Sequence, residues 1–206
     1  MRLGIAEKGN ASTLRQPMWG TQKMESNRAS MAPCSRRYFL GLGLVVAGAA
    51  LSPAAFAATL PRRLTFYHTH TGETLTATYW DRGRYVPGAL SHIDYILRDF
   101  ISGEERVIDR RLLDLLAELH RRTGSQAPFE IISAYRSPAT NAMLRARSDG
   151  VAQHSYHIKA KAIDIRLRDV PLRRLHATAL AMKAGGVGMY PASDFVHVDT
   201  GPVRYW

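Results

Sequence analysis

The sequence predicts an α+β domain over residues 58–206, and three features predict it. Short runs rich in β-branched and aromatic residues come in pairs joined by turn residues, the pattern of hairpins. Other stretches repeat their apolar residues at helical spacing. One run, Ala162-Ile163-Asp164-Ile165-Arg166-Leu167, alternates as a strand with two unlike faces does.

Leu64–His68 and Glu73–Trp80 flank Thr69-His70-Thr71-Gly72, so a hairpin is expected with Gly72 supplying the turn. His68 and His70 form an H-x-H pair, but His70 falls in the turn, and both are read as ordinary polar residues of a hairpin. Leu90, Ile93, Ile96, Leu97 and Phe100 predict a helix with Ser91 as its N-cap. Asp109 is expected to cap a second helix that buries Leu112, Leu113, Leu115, Leu116 and Leu119 and stops at Gly124. His120, near the end of that helix, complements its dipole.

Phe129–Ala134 reads as a buried strand running into Tyr135-Arg136-Ser137-Pro138 and a short helix through Asn141, Met143 and Leu144. Arg136 thus stands where a strand gives way to a loop, a common place for a functional side chain. In the alternating run, Asp164 lies on the face opposite Ile163, Ile165 and Leu167. Pro171 opens a helix that Gly185-Gly186 ends. Val187–Tyr190 and Phe195–Asp199 are two further strands joined by Pro191-Ala192-Ser193-Asp194. Phe195, His197 and Asp199 share a face of the last strand.

An export segment precedes this domain. Ser35-Arg36-Arg37-Tyr38-Phe39-Leu40 is a twin-arginine pattern, an uncharged run follows, and Ala55-Phe56-Ala57 is an A-x-A-like cleavage site. The run Tyr38–Leu51 holds 14 residues, short for a membrane span. Residues 31–57 are therefore expected to be a cleaved Tat signal peptide, leaving no stable membrane insertion and a periplasmic or cell-wall-associated domain. Its first partner would be the Tat export machinery. Residues 1–30 fit no part of such a signal and read as a disordered or spurious extension, with Met24 and Met31 as alternative starts.

The one cysteine, Cys34, lies ahead of the cleavage site. Residues 58–206 therefore form no internal disulfide and offer neither a thiolate metal ligand nor a cysteine nucleophile. The formal net charge of the chain is +11, but residues 1–57 carry seven Lys/Arg and two acidic residues, leaving 21 basic against 15 acidic groups, or +6. That balance suits an anionic partner without choosing one. No basic helix interleaved with aromatics and no nucleic-acid motif is present, which argues against nucleic acid.

The chemistry centres on Ser155-Tyr156-His157 and Asp164, with His197 near the C-terminus. His157, Asp164 and His197 provide two nitrogens and one oxygen, the ligand count of a catalytic zinc site with a fourth position open. Two imidazoles and one carboxylate leave more positive charge on Zn2+ than thiolates would, bringing the pKa of a bound water toward about 7. A nearby carboxylate takes and returns a proton, and an arginine stabilises the oxyanion. Asp194, three residues before His197, is the candidate base, with Asp199 and His154 as rivals. Arg136 is the candidate oxyanion stabiliser. Taken alone, this spacing has many chance equivalents in a chain with eight histidines.

The run Ser155-x-His157-x6-Asp164 with the later His197 resembles the zinc signature of the LAS superfamily, the lysostaphin and D-Ala-D-Ala metallopeptidase group. The likeness extends to the YcbK-type Tat-exported murein endopeptidases. It runs through Ser133-x-Tyr135-Arg136-Ser137, Leu144-Arg145-Ala146-Arg147-Ser148, Lys183-Ala184-Gly185-Gly186-Val187-Gly188 and Phe195-Val196-His197-Val198-Asp199-Thr200-Gly201-Pro202. The resemblance implies an α+β fold around a small antiparallel sheet flanked by helices, with the zinc site over the sheet. It also implies hydrolysis of peptide cross-links in peptidoglycan, including 3-3 links through meso-diaminopimelate. Other readings on the same scaffold are a D,D-carboxypeptidase or D,D-endopeptidase, and a non-catalytic zinc-containing peptidoglycan-binding domain. The chain departs from the superfamily pattern twice. Ala160 stands where glycine is common, and Asp194 where carboxypeptidase members carry the longer glutamate. If position 160 takes positive φ, alanine there is strained. Asp199, two residues along a strand from His197, fits better as an orienting partner than as the base.

Overall fold

The computed structural model describes residues 60–148 and 150–206. The predicted signal peptide and N-terminal extension lie outside the described residues. Along the chain come β1 (Arg62–His68), β2 (Thr74–Asp81), β3 (Arg84–Tyr85), α1 (Pro87–Ile96), α2 (Arg110–Thr123), β4 (Phe129–Ser133) and α3 (Pro138–Arg147). These are followed by β5 (Ala162–Arg166), α4 (Leu172–Met182), β6 (Gly186–Tyr190), β7 (Phe195–Asp199) and β8 (Arg204–Tyr205). All eight strands form one sheet in the order β3-β2-β1-β4-β5-β7-β6-β8.

The α+β class stands, but the sheet is larger and more mixed than the expected small antiparallel one. β4 runs parallel to β1, and β8 parallel to β6. The cause is a crossover: after β3 the chain passes through both α1 and α2 before it returns to the far side of β1. A parallel neighbour requires such a connection. The hairpin of β1 and β2 forms as expected, with Gly72 at φ 74°. His68, read as an ordinary polar residue of the hairpin, is buried. It is 1% exposed, while His70 is exposed and stacks on Phe100 at 4.2 Å.

Local signals set most helix ends. Asp109 caps α2 by accepting from the Arg111 amide, and Gly124 closes it at φ 68°. The five leucines assigned to its inner face are all buried, each worth about 1.5–3 kcal/mol. α1 begins earlier than expected, with Pro87 in its first turn and no side-chain cap. Proline there gives up no helical hydrogen bond, and Ser91 instead donates to the Pro87 carbonyl. α4 ends at Lys183, which takes the left-handed conformation at φ 50°, so Gly186 opens β6 instead of closing the helix.

The core is built from Phe66, Tyr79, Phe129, Ile131, Ile163, Ile165 and Val196 on the sheet, with the leucines of α2 packed against it. In β5 and β7 the residues between these apolar positions project to the other face. Register places Asp164 directly opposite His197. Side chains so paired across an antiparallel ladder have Cβ atoms about 4.5–5.5 Å apart, and two of the three predicted ligands meet for that reason. Among the described residues no helix is long and apolar enough to cross a membrane.

Candidate active site

His157 comes from the loop between α3 and β5. The Ser155 hydroxyl accepts from the His157 amide at 3.3 Å, and the His157 carbonyl accepts from the Ala160 amide at 3.1 Å, so the loop folds tightly on itself. The turn holds Ala160 at φ 53°, the positive value that its departure from glycine left in question. His157, Asp164 and His197 are all buried. His157 Nε2 lies 3.2 Å from His197 Nδ1 and 3.4 Å from Asp164 Oδ1, and His197 Nδ1 lies 2.9 Å from Asp164 Oδ1. Ligands about 2.0–2.1 Å from a tetrahedral zinc ion stand roughly 3.3 Å from one another. The triangle has that size.

The outer nitrogens fix how the inner ones are used. His157 Nδ1 lies 2.6 Å from the Ala134 carbonyl, which only accepts, so this nitrogen carries the proton. His197 Nε2 lies 3.0 Å from Asp199 Oδ2 and donates to it. Both imidazoles therefore aim unprotonated nitrogens at the Asp164 oxygen. Three acceptors converging without a donor are unfavourable by themselves and favourable around a cation. The donor set fits a divalent metal.

The charges agree. Burial pushes the Asp164 carboxyl upward, but His157 and His197 outweigh it and hold the group ionised below the usual carboxylate range. Burial lowers His197, and Asp164 and Asp199 outweigh that in turn, raising it above the ordinary histidine value. The two carboxylates draw positive charge to this spot, which a bound metal ion would supply.

Arg136 lies between β4 and α3, as expected, and reaches the same cleft. Its guanidinium is half-buried, donating to the neutral oxygens of Asn141 at 3.3 Å and Ser133 at 3.2 Å. Burial pushes its pKa down, with Asp164 and Asp99 opposing. The cleft encloses about 930 Å³ and is walled by Tyr156, Tyr190, Phe195 and Trp206, with His154 also at its rim.

Asp194 is not brought to this cleft. The turn Pro191–Ser193 and a left-handed backbone at Asp194, φ 52°, carry its carboxylate beyond the start of β7. There it is 64% exposed, 3.4 Å from Arg166, and lines a separate depression beside Glu130 and Arg168. Of its two rivals, Asp199 is fully buried and occupied by donors, while His154 lines the cleft. Sequence reasoning passed over Arg204 and Trp206, which wall the site from β8 and the residue after it. Their one trace in the sequence is Gly186 and Gly188, where a Cβ would come within 2.5 Å of Arg204 and 2.4 Å of Trp206 respectively.

A buried imidazole–carboxylate–imidazole triad on an α+β sheet, open to an arginine-bearing cleft, could hold a metal ion, an arrangement suited to a metallopeptidase. Residues 56–206 match the family model described as Peptidoglycan L,D-endopeptidase MepK, and the chain belongs to that family of M15 peptidases. The Peptidoglycan L,D-endopeptidase MepK of Escherichia coli strain K12 is 44% identical over 176 residues, covering 84% of this chain and 97% of the relative. That of Shigella flexneri is likewise 44% identical, with the same coverage. A probable peptidoglycan L,D-endopeptidase MepK of Haemophilus influenzae is 40% identical over 177 residues, covering 84% of this chain and 95% of its own. No solved structure matches the chain significantly.

Proposed function

We propose that the domain is a zinc-dependent endopeptidase that cleaves the peptide cross-links of peptidoglycan, including 3-3 links between meso-diaminopimelate residues, after Tat export to the periplasm. The observation that carries this reading is the convergence of His157 Nε2, Asp164 Oδ1 and His197 Nδ1 within the cleft. The substrate class is supported by the L,D-endopeptidase relatives. Export is supported by the twin-arginine pattern and A-x-A site, beside which the family match begins at residue 56.

His157, Asp164 and His197 would hold the zinc ion, which when bound supplies Lewis acidity for amide hydrolysis. The Ala134 carbonyl and Asp199 keep the two imidazoles in the ligating tautomer. Arg136 faces the cleft with its side-chain hydrogen bonds going to the neutral oxygens of Asn141 and Ser133, and its charge serves the oxygen of the scissile amide as negative charge develops there. Tyr156, Tyr190 and Phe195 provide flat walls against which an extended stem peptide packs.

The decisive experiment uses purified cross-linked muropeptides, first with zinc and then with a chelator, with products identified by mass. Monomers released from 3-3 dimers, and lost on chelation, are the expected result. No cleavage by folded, zinc-loaded protein would sink the enzyme reading and leave a binding domain. Cleavage confined to 4-3 links would move the specificity to the D,D class. His157→Ala, Asp164→Ala and His197→Ala are each expected to lose the bound zinc equivalent.

A further inference from the structure

Asp199 has no exposed surface, and an ionised carboxylate so placed needs donors on both oxygens. Oδ1 accepts from the amides of Gly186 at 3.1 Å and Gly201 at 2.8 Å. Arg204 spans the group, with Nη1 at 3.1 Å from Oδ1 and Nη2 at 2.6 Å from Oδ2. The remaining contact of Oδ2 is His197 Nε2 at 3.0 Å. A guanidinium fork that engages both oxygens fixes the plane of the carboxylate, which a single-point donor does not. That plane sets the direction in which Oδ2 meets the imidazole, and hence how the opposite nitrogen faces Asp164.

Arg204 is itself tightly held. Its guanidinium carbon lies 4.9 Å from the Tyr156 ring and 5.2 Å from the Trp206 ring, so two aromatic walls of the cleft sandwich it. Arg204 pairs with Gly186 across β8 and β6. A Cβ on Gly186 would sit 2.5 Å from both Arg204 Nη1 and Asp199 Oδ2. The backbone of β6 thus lies close against the ion pair, and a side chain at 186 would have to displace Arg204 or Asp199.

We infer that Arg204 is a positioning residue for the metal ligand His197, acting through Asp199. This rests on the metal-centre reading above. Arg204 touches neither the metal position nor the other two ligands. It holds Asp199 in one plane, Asp199 holds His197 in one tautomer and rotation, and His197 Nδ1 is thereby kept on the site. The alternative role, merely pinning the C-terminal edge strand, predicts lost thermal stability with zinc affinity intact in whatever protein folds.

The test measures zinc affinity of the metal-free protein by competition with a chromophoric chelator, with circular dichroism to establish the fold. Arg204→Met is expected to bind one zinc ion about 10–100-fold more weakly, the range for partners that orient metal ligands. Arg204→Lys keeps the charge without the fork and is expected to fall between wild type and Arg204→Met. Should Arg204→Met fail to fold, Arg204→Lys decides. Arg204→Met/Asp199→Asn should lose no more affinity than the worse single variant, because both act along one chain of contacts. Folded Arg204 variants that bind zinc within twofold of wild type would overturn the inference, as would losses that simply add. A wild-type protein that takes up no zinc overturns the metal centre as well, so the two failures are distinguishable.

Discussion

His68 packs its ring against Phe100 at 5.5 Å, is 1% exposed, and leaves Nε2 without a hydrogen-bond partner among the described residues. Burial disfavours the charged ring. The neighbouring His70 and Arg98 add to this, Glu73 opposes it, and the pKa falls to about 4. In the unfolded chain the group titrates near 6.5. Between those values the unfolded state binds the extra proton, so stability is full above about pH 6.5 and is lost as pH falls toward about 4. Urea midpoints should show the wild type losing about 1–2 kcal/mol more than His68→Leu between pH 7 and pH 5. Equal losses would show that the ring is protonated in the fold. Asp194 makes the opposite kind of case. Its carboxylate is 64% exposed and paired with Arg166, so Asp194→Ala should leave turnover on muropeptides within about threefold. A fall of about a hundredfold or more would return it to proton transfer. The convergence of His157, Asp164 and His197 was legible because residue type and strand alternation both point to them. The position of Asp194 was not legible, because spacing along a chain says nothing of a left-handed turn that swings the side chain away.

Single elements were legible where one residue sets an end. Asp109 and Gly124 bound α2 as the sequence indicates, since a cap and a left-handed glycine act locally. What escapes that reasoning is a residue in one element that finishes another. Asp99, 1% exposed in the segment after α1, accepts from the Ser137 amide at 2.9 Å through Oδ2 and from the Ile101 amide at 3.0 Å through Oδ1. It thereby ties its own loop to the start of α3 and to the Tyr135-Arg136-Ser137 turn that carries Arg136. Burial pushes its carboxyl upward, but hydrogen bonding from the Thr140 hydroxyl, from Ser137 and from the Ile101 amide outweighs this and holds it well below the usual range. Asp99→Ala would leave three backbone donors without this acceptor, the amides of Ile101, Ser102 and Ser137, of which Ser137 is buried. We expect a loss of about 2–4 kcal/mol in urea denaturation. Turnover should fall further than stability alone explains, because Arg136 is no longer anchored. Asp99→Asn keeps an accepting oxygen and should lose about half as much. A variant as stable as wild type would show that Ser137 and Thr140 cap α3 without help.

At the scale of the whole molecule the sheet order was the least legible feature, because β1 and β4 are separated by some sixty residues and no local signal names the partner. The same long-range pairing would make a metal ion held by the three side chains a staple. His157 is on a loop, Asp164 on β5 and His197 on β7, and these segments converge only in the folded sheet. Thr200, just beyond β7, donates to Asp109 at 3.0 Å and its amide reaches the Lys161 carbonyl, so the ligand strands are also tied to the start of α2. Residues 58–206 contain no cysteine, so no disulfide does this work. A metal that binds the folded state alone stabilises it by RT ln(1 + [L]/Kd), about 4 kcal/mol at a thousandfold excess over Kd. In a domain of this size each kcal/mol raises Tm by roughly 2–4 °C. Calorimetry should therefore show zinc raising Tm by about 8–16 °C and a chelator reversing the shift. Asp164→Ala should show almost none of it, because its two remaining imidazoles hold the ion weakly. A wild-type transition unmoved by zinc would mean that the three ligand atoms do not bind the ion together. An equal shift in Asp164→Ala would mean that zinc stabilises the protein from somewhere else.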